Sequence, residues 1–199
     1  MSVTRWWLIR HAPVPNPQGA ICGSSDLPAD TGDRTRAVAL MAVLPTRAVW
    51  LTSPLRRSRQ TALTLRPDLQ AHADPALAEQ DFGRWEGLSH AEVAARHPEE
   101  AASFWTDPAG NAPPGGESFA AVMARVAGCL ERWTAAQSGC DLIAVIHGGS
   151  IRAAVAVALD LTPQAALRLR VDHWSLTRLD HHAAAGGGSW SVGGVNTVP

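Results

Sequence analysis

The stretch Trp6-Trp7-Leu8-Ile9-Arg10-His11-Ala12-Pro13 decides how the rest of the chain is read. Arg5 to Ile9 has the length and apolar character of a buried strand, and Pro13 lacks the N–H that a continuing strand would use. The apolar run stops where the charge begins. Arg10 and His11 therefore fall at the carboxyl end of a strand. Trp6 and Trp7 point to opposite faces, and both are expected in the core. An Arg-His pair carries no chemistry by itself, so its meaning rests on what the other strands end in.

Two further apolar runs end in the same manner. Ala48 to Leu51 is short and apolar, as in strands buried on both faces. Ser53-Pro54 follows as helix cap and first-turn proline, opening a helix from Leu55 to about Leu65 that carries Arg56, Arg57 and Arg59. Leu142 to Ile146 runs into His147-Gly148-Gly149-Ser150, with a helix from Ile151 to Leu159; backbone N–H groups at such a start are available to an anion. Other helices are expected over Arg34 to Leu44, Ala91 to Arg96, a short stretch from Pro163, and Glu117-Ser118 to about Ala136. The last carries Phe119, Val122, Val126, Leu130 and Trp133 on one face. Ala71 to Ala73, Trp174 to Leu179 and Trp190 to Val192 read as strands, the last at an edge.

Pro13 to Asp33 and Phe104 to Gly116 are too rich in breakers for regular elements. Ala183 to Gly188 reads as a turn, with His181-His182 beside it. Strands alternating with helices predict an α/β fold, a three-layer α/β/α sandwich around a mainly parallel central sheet. Residues 1–199 are read as a single domain, with a cap-like loop and helix insertion around 80–116. Ligands of such sheets bind beyond the carboxyl ends of strands. Arg10-His11, Ser53 to Arg57 and His147-Gly148 all meet that rule.

The formal net charge of -1 and pI near 6.7 give no reason to expect a nucleic-acid partner. No apolar run is long enough for a secretory leader or a membrane span, so a cytoplasmic protein without a membrane partner is expected. Cys22, Cys129 and Cys140 form neither a disulfide framework nor a metal pair; Cys129 and Cys140 are expected to be small buried hydrophobes. His72, His90, His97, His173, His181 and His182 share no metal spacing, and no metal or other cofactor is expected.

Five stretches in order carry a resemblance: Leu8 to His11; Ser53 to Ala62; Leu77-Ala78-Glu79 with Gly83 to Gly87; Gly115 to Ser118; and Val145 to Arg152. Together they resemble the histidine phosphatase, or phosphoglycerate-mutase-like, superfamily. Cys22 to Pro28, and Val171-Asp172 with Trp174 to Thr177, are most similar to its α-ribazole phosphatase branch. The resemblance implies that His11 is a nucleophile forming a transient phosphohistidine, with Arg10 and Arg57 as phosphate clamp. It makes His147 a second pocket histidine and Glu79 the general acid, with Asp81 as competitor; Gly148 offers a backbone N–H to the phosphate.

These roles suit the residue types. Phosphoryl transfer rests on positioning and charge stabilisation. A neutral imidazole is a competent nucleophile near neutrality, and guanidinium grips phosphate with paired donors. Where the family usually has glycine, this chain has Ala12, and Pro13-Val14 replaces the usual turn, with Asn16 one position early. Cys22, Gly23 and Ser24 are the nearest replacement contacts to substrate. Glu86 and Glu117 read as loop-bracing carboxylates. Trp85 and Trp105 lie on segments that either roof the pocket or simply pack.

The implied activity is hydrolysis of a small-molecule phosphomonoester, with α-ribazole 5′-phosphate of cobalamin synthesis as substrate. Phosphoglycerate-mutase-type transfer and a catalytically weak phosphoryl-binding regulatory module are the alternatives. A homodimer is allowed.

Overall fold

The computed structural model describes residues 2–16, 18–185 and 187–199. The apolar runs become the middle of a six-stranded sheet of order β3-β2-β4-β1-β5-β6. Its strands are β1 (Val3–Arg10), β2 (Val49–Thr52), β3 (His72–Ala73), β4 (Asp141–Ile146), β5 (Leu176–Ala184) and β6 (Gly187–Thr197). β3, β2, β4 and β1 run parallel, while β5 returns antiparallel to β1 and β6 antiparallel to β5.

Alternation along the strands builds the layers. Trp6 and Leu8 of β1 join Leu142, Ala144 and Ile146 of β4 on one face. There they pack against α5 (Phe119–Ala136), α6 (Gly148–Leu159) and α7 (Pro163–Ala166), through side chains such as Phe119, Val126 and Ile151. Ile9, Ile143 and Val145 face the other way, onto Ala37 and Leu40 of α1 (Arg34–Val43) and Ala62 and Leu65 of α2 (Arg56–Leu65). Each fully buried Leu, Ile or Phe in these layers contributes about 1.5–3 kcal/mol. The chain is thus an α/β/α sandwich with its most buried strand, β4, at the centre of the parallel part.

A third, smaller apolar cluster stands apart. Ile21 from the loop after β1 packs with Trp85, with Val93 of α3 (His90–Arg96), and with Ala101 and Phe104 of α4 (Pro98–Thr106). Ser89 and Glu92 form a reciprocal capping box at the start of α3.

Several expectations need correction. Phe104 and Trp105 lie in α4, not in a loop; Pro98 in its first turn, with Glu99 and Glu100, is the start signal that the later prolines obscured. Ser53 does not cap α2, whose N-cap is Leu55 and whose first helical residue is Arg56: its hydroxyl accepts only from Leu55 N–H, at 3.2 Å, and also meets His147. α6 starts at Gly148, earlier than Ile151. His181 and His182 lie within β5, paired with Trp190 and Ser189, so they are not part of a turn. The expected turn over Ala183 to Gly188 includes residue 186, which lies outside the described residues. Trp174 precedes β5 with a left-handed φ of 62°. Trp7 is only half-buried, its indole N–H on Asp141 and its ring under Arg178. Cys129 is buried as expected, but Cys140 is exposed. No helix among the described residues is long and apolar enough to cross a membrane.

Candidate active site

Parallel register brings the two strand-end histidines together. Arg10 pairs with Ile146, so the next residue of each strand, His11 and His147, lie side by side. Their ring centroids are 5.0 Å apart at 61°. The His11 N–H donates to the Ile146 carbonyl at 2.9 Å, extending the ladder one step beyond the strands. β2 ends next to them and supplies Ser53, whose Oγ lies 2.6 Å from His147 Nε2. α2 then delivers Arg57.

The tautomer of His11 is set by its own backbone. Nδ1 lies 2.6 Å from the Ala12 carbonyl, which can only accept, so Nδ1 carries the hydrogen and Nε2 keeps its lone pair. Arg57 Nε donates to that nitrogen at 3.3 Å. Burial pushes the His11 pKa well below its usual value; the charges of Arg57 and Arg10 act in the same direction, against the bond to Ala12. His147, fully buried, is lowered for the same first reason and then by its neighbours His11 and Arg57. Its Nδ1 has no partner among the described residues.

The arginines are held from behind. Arg10 Nη1 donates to the Val171 carbonyl at 2.5 Å, while its buried Nε has no partner among the described residues. Arg57, 1% exposed, donates through Nη1 and Nη2 to the carbonyls of Ser25 (2.6 Å) and Gly23 (2.5 Å). Arg56 and Arg59 are exposed on the same helix.

A cavity of about 310 Å³ opens over this group, walled by Arg10, His11, Val14, Asn16, Ala20, Cys22, Gly23, Arg57, Glu79, Phe82 and His173. Glu79 is in the wall; Asp81 is turned away, its carboxylate accepting from Gly83 N–H at 2.7 Å. Glu79 Oε1 accepts from the N–H groups of Gly149 and Gln80, both at 3.0 Å. A side chain at Gly149 would place its Cβ 2.2 Å from that oxygen. The loop carrying Glu79 is gripped by Arg125 of α5, which donates to the carbonyls of Ala76, Ala78 and Glu79 and pairs with Glu117.

Of the replacement contacts, Cys22 and Gly23 line the cavity. Ser24 does not: its N–H and hydroxyl both bond Glu86, which also receives Ser25 and Phe82. Gly148 packs against the Arg10 guanidinium, 3.4 Å from where a Cβ would lie, and the neighbouring Gly149 N–H serves Glu79. The Ala12 methyl enters the core cluster on the α1–α2 face, and the Ala12 N–H donates to Thr61 Oγ1 at 2.9 Å. The substitution therefore fills core and leaves the cavity wall unchanged. Trp85 is buried against Phe104, and Trp105 is 58% exposed; neither reaches the cavity, whose benzene ring is Phe82.

Sequence places Ser53 at a strand end of the site but as a helix cap, not as the partner of His147, and it does not single out His173. His173 stands 5.1 Å from the His11 ring, with Nδ1 2.9 Å from the His11 carbonyl. Its signal in the sequence is the stretch on either side of it, Val171-Asp172 and Trp174 to Thr177, which carries the narrower resemblance. Among the described residues no group of three or more His, Cys, Asp or Glu could hold a metal ion.

The profile of the histidine phosphatase superfamily (branch 1) matches residues 6–192. The chain belongs to this superfamily. Histidine phosphatases similar to it include the glucosyl-3-phosphoglycerate phosphatase of Mycobacterium tuberculosis, 34% identical over 208 residues that cover 94% of this chain and 89% of the relative. The native structure of the mycobacterial protein of that name superposes with a TM-score of 0.84 at 29% identity, covering 98% and 99% of the two chains. The α-ribazole phosphatase of Shigella flexneri superposes with a TM-score of 0.81 at 25% identity, covering 97% and 96%. A bifunctional protein of M. tuberculosis is 36% identical over 138 residues, 68% of this chain. The chain thus spans only 38% of that relative's length.

Proposed function

We propose that the chain is a phosphomonoester hydrolase working through a phosphohistidine on His11. The observation that carries this reading is the state of His11: a buried imidazole kept neutral, its Nδ1–H tied to Ala12 and its Nε2 lone pair beside Arg57. A neutral, oriented imidazole among cations is what a phosphorus electrophile requires. On substrate binding the Arg57 Nε–H moves from the lone pair to a phosphoryl oxygen, Arg10 takes another through its free Nε, and the buried His147 faces the same group. Nε2 attacks phosphorus, the ester P–O bond breaks, and Glu79 gives its proton to the leaving oxygen. Water then attacks the phosphohistidine, the P–N pair returns to His11, and Glu79 takes a proton from that water.

The cavity volume sits at the small end of ligand pockets, which favours a compact ester. α-Ribazole 5′-phosphate and glucosyl-3-phosphoglycerate head the substrates to screen, beside nucleotides, sugar phosphates and 3-phosphoglycerate. Three free thiols agree with work in the reducing cytoplasm. Rapid quench with a radiolabelled ester tests the mechanism. Acid-labile, base-stable label on wild type, absent from His11→Ala, is expected. Equal hydrolysis by the two proteins would remove the phosphohistidine, and net transfer to a second phosphoacid would make the chain a mutase.

A further inference from the structure

We infer that His173 reads the alcohol half of the substrate, its Nε2 accepting a hydrogen bond from a hydroxyl beside the scissile ester. The inference rests on the hydrolase reading above and assigns a substrate class to the same site: phosphate esters of polyols and sugars.

The chain invests backbone strain in placing this side chain. The turn before β5 is stitched to β1 by Trp174 N–H on the Arg10 carbonyl and Arg10 N–H on the Ser175 carbonyl, both 3.1 Å. Between them Trp174 adopts a φ of 62°, unfavourable for a bulky residue, and is held there with its indole 1% exposed. That conformation sets His173 on the cavity wall beside His11.

Its chemistry is then fixed by one bond. Nδ1 meets the His11 carbonyl at 2.9 Å and must be the donor. Partial burial and the nearby Arg10 oppose protonation of the ring, so Nε2 carries a lone pair. The remaining wall offers no comparable group. Val14, Ala20 and Phe82 have no polar side-chain atom. The Asn16 amide is engaged with Ala20 through both its atoms, at 2.9 and 2.7 Å, and also meets the Cys22 sulfur at 3.6 Å. Among the described wall residues, His173 Nε2 is the acceptor that neither braces the fold nor serves phosphoryl transfer. A hydroxyl fits a lone pair at that place.

The test compares glycerol 1-phosphate, which has a neighbouring hydroxyl, with n-propyl phosphate, which has none. Three versions of the full chain are used: wild type, His173→Asn and His173→Ala. An asparagine amide still donates to the His11 carbonyl but offers no acceptor at the Nε2 position. Wild type should prefer glycerol 1-phosphate by about tenfold in kcat/KM, the worth of one good hydrogen bond. His173→Asn should lose that preference mainly through KM, its kcat/KM values for the two esters converging. His173→Ala should slow on both esters, because His11 loses its brace as well. Equal slowing of both esters in His173→Asn, or no preference in wild type, overturns the inference. Trapping label on His11 from propyl phosphate separates the two readings. Label with unchanged selectivity in His173→Asn sinks this inference alone; absence of label from either ester in wild type sinks the hydrolase reading and this one with it.

Discussion

His11 stays neutral in acid because burial and two arginines resist a second proton on its ring. As pH falls through 6.5, the unshifted histidine value, the proposed nucleophile therefore remains available, and kcat should hold between pH 7.5 and 6. An acid limb centred at or above 6.5 in kcat would contradict this. Ser53→Ala should leave His147 without a partner at either ring nitrogen among the described residues and cost about 1–3 kcal/mol, read as a lower unfolding midpoint with kcat down about tenfold. Ala12→Gly, which restores the family's usual residue, should destabilise by about 1 kcal/mol without raising kcat, because the methyl it removes is buried in core. Much of this was legible in the sequence: His11, Arg10, Arg57 and His147 follow apolar runs, and register does the rest. Ser53 and His173 were not. A serine before proline matches a cap locally, and only tertiary contact shows its hydroxyl, besides accepting from Leu55 N–H, meeting His147; His173 reaches His11 through a left-handed tryptophan that no local pattern announces.

At the level of elements, the N-terminus of α6 meets the loop before Asp81 through Gly149, whose N–H serves Glu79, and Ser150, whose hydroxyl donates to the Leu77 and Ala78 carbonyls. Gly149→Ala should drive Glu79 from its place, since the added carbon would fall 2.2 Å from Oε1. We expect kcat to fall at least tenfold while circular dichroism and the unfolding midpoint change little; unaltered kcat would show that Glu79 is dispensable. Arg125 reaches the same loop from α5, and its loss would remove donors from three carbonyls at once, of which, among the described residues, Ala78 alone keeps a second one, from Ser150. Helices and strands with clean periodicity or a single cap were legible. α4 was not, because its apolar residues run straight into the prolines and glycines that follow. The antiparallel pair β5–β6 was only half legible, because β6 has glycine at four of its eleven positions and weak alternation.

For the molecule as a whole, the histidines tie stability to pH. His11 and His147 have folded pKa values well below 6.5, so the unfolded chain takes up protons that the folded one refuses. Stability is then full above about 6.5 and falls as pH drops below it, at up to about 1.4 kcal/mol per pH unit for each histidine. For a chain of this size that is roughly 3–5 °C in midpoint per histidine and pH unit. Scanning calorimetry from pH 7.5 to 5 should show the decline, and His147→Gln should flatten it.

Glu86 gives the molecule a further property. Burial would lift its carboxyl, but bonds from Ser25, Ser24 and Phe82 outweigh it and hold the group below its usual value. One carboxylate thereby joins two stretches of the cavity rim that lie some sixty residues apart in sequence. Rim opening should therefore be a concerted fluctuation rather than two independent ones. In deuterium exchange the amides of Ser24 and Phe82 should become labelled at one shared rate. Glu86→Gln should split that rate in two, turning a single gate into a pair of unlinked flaps.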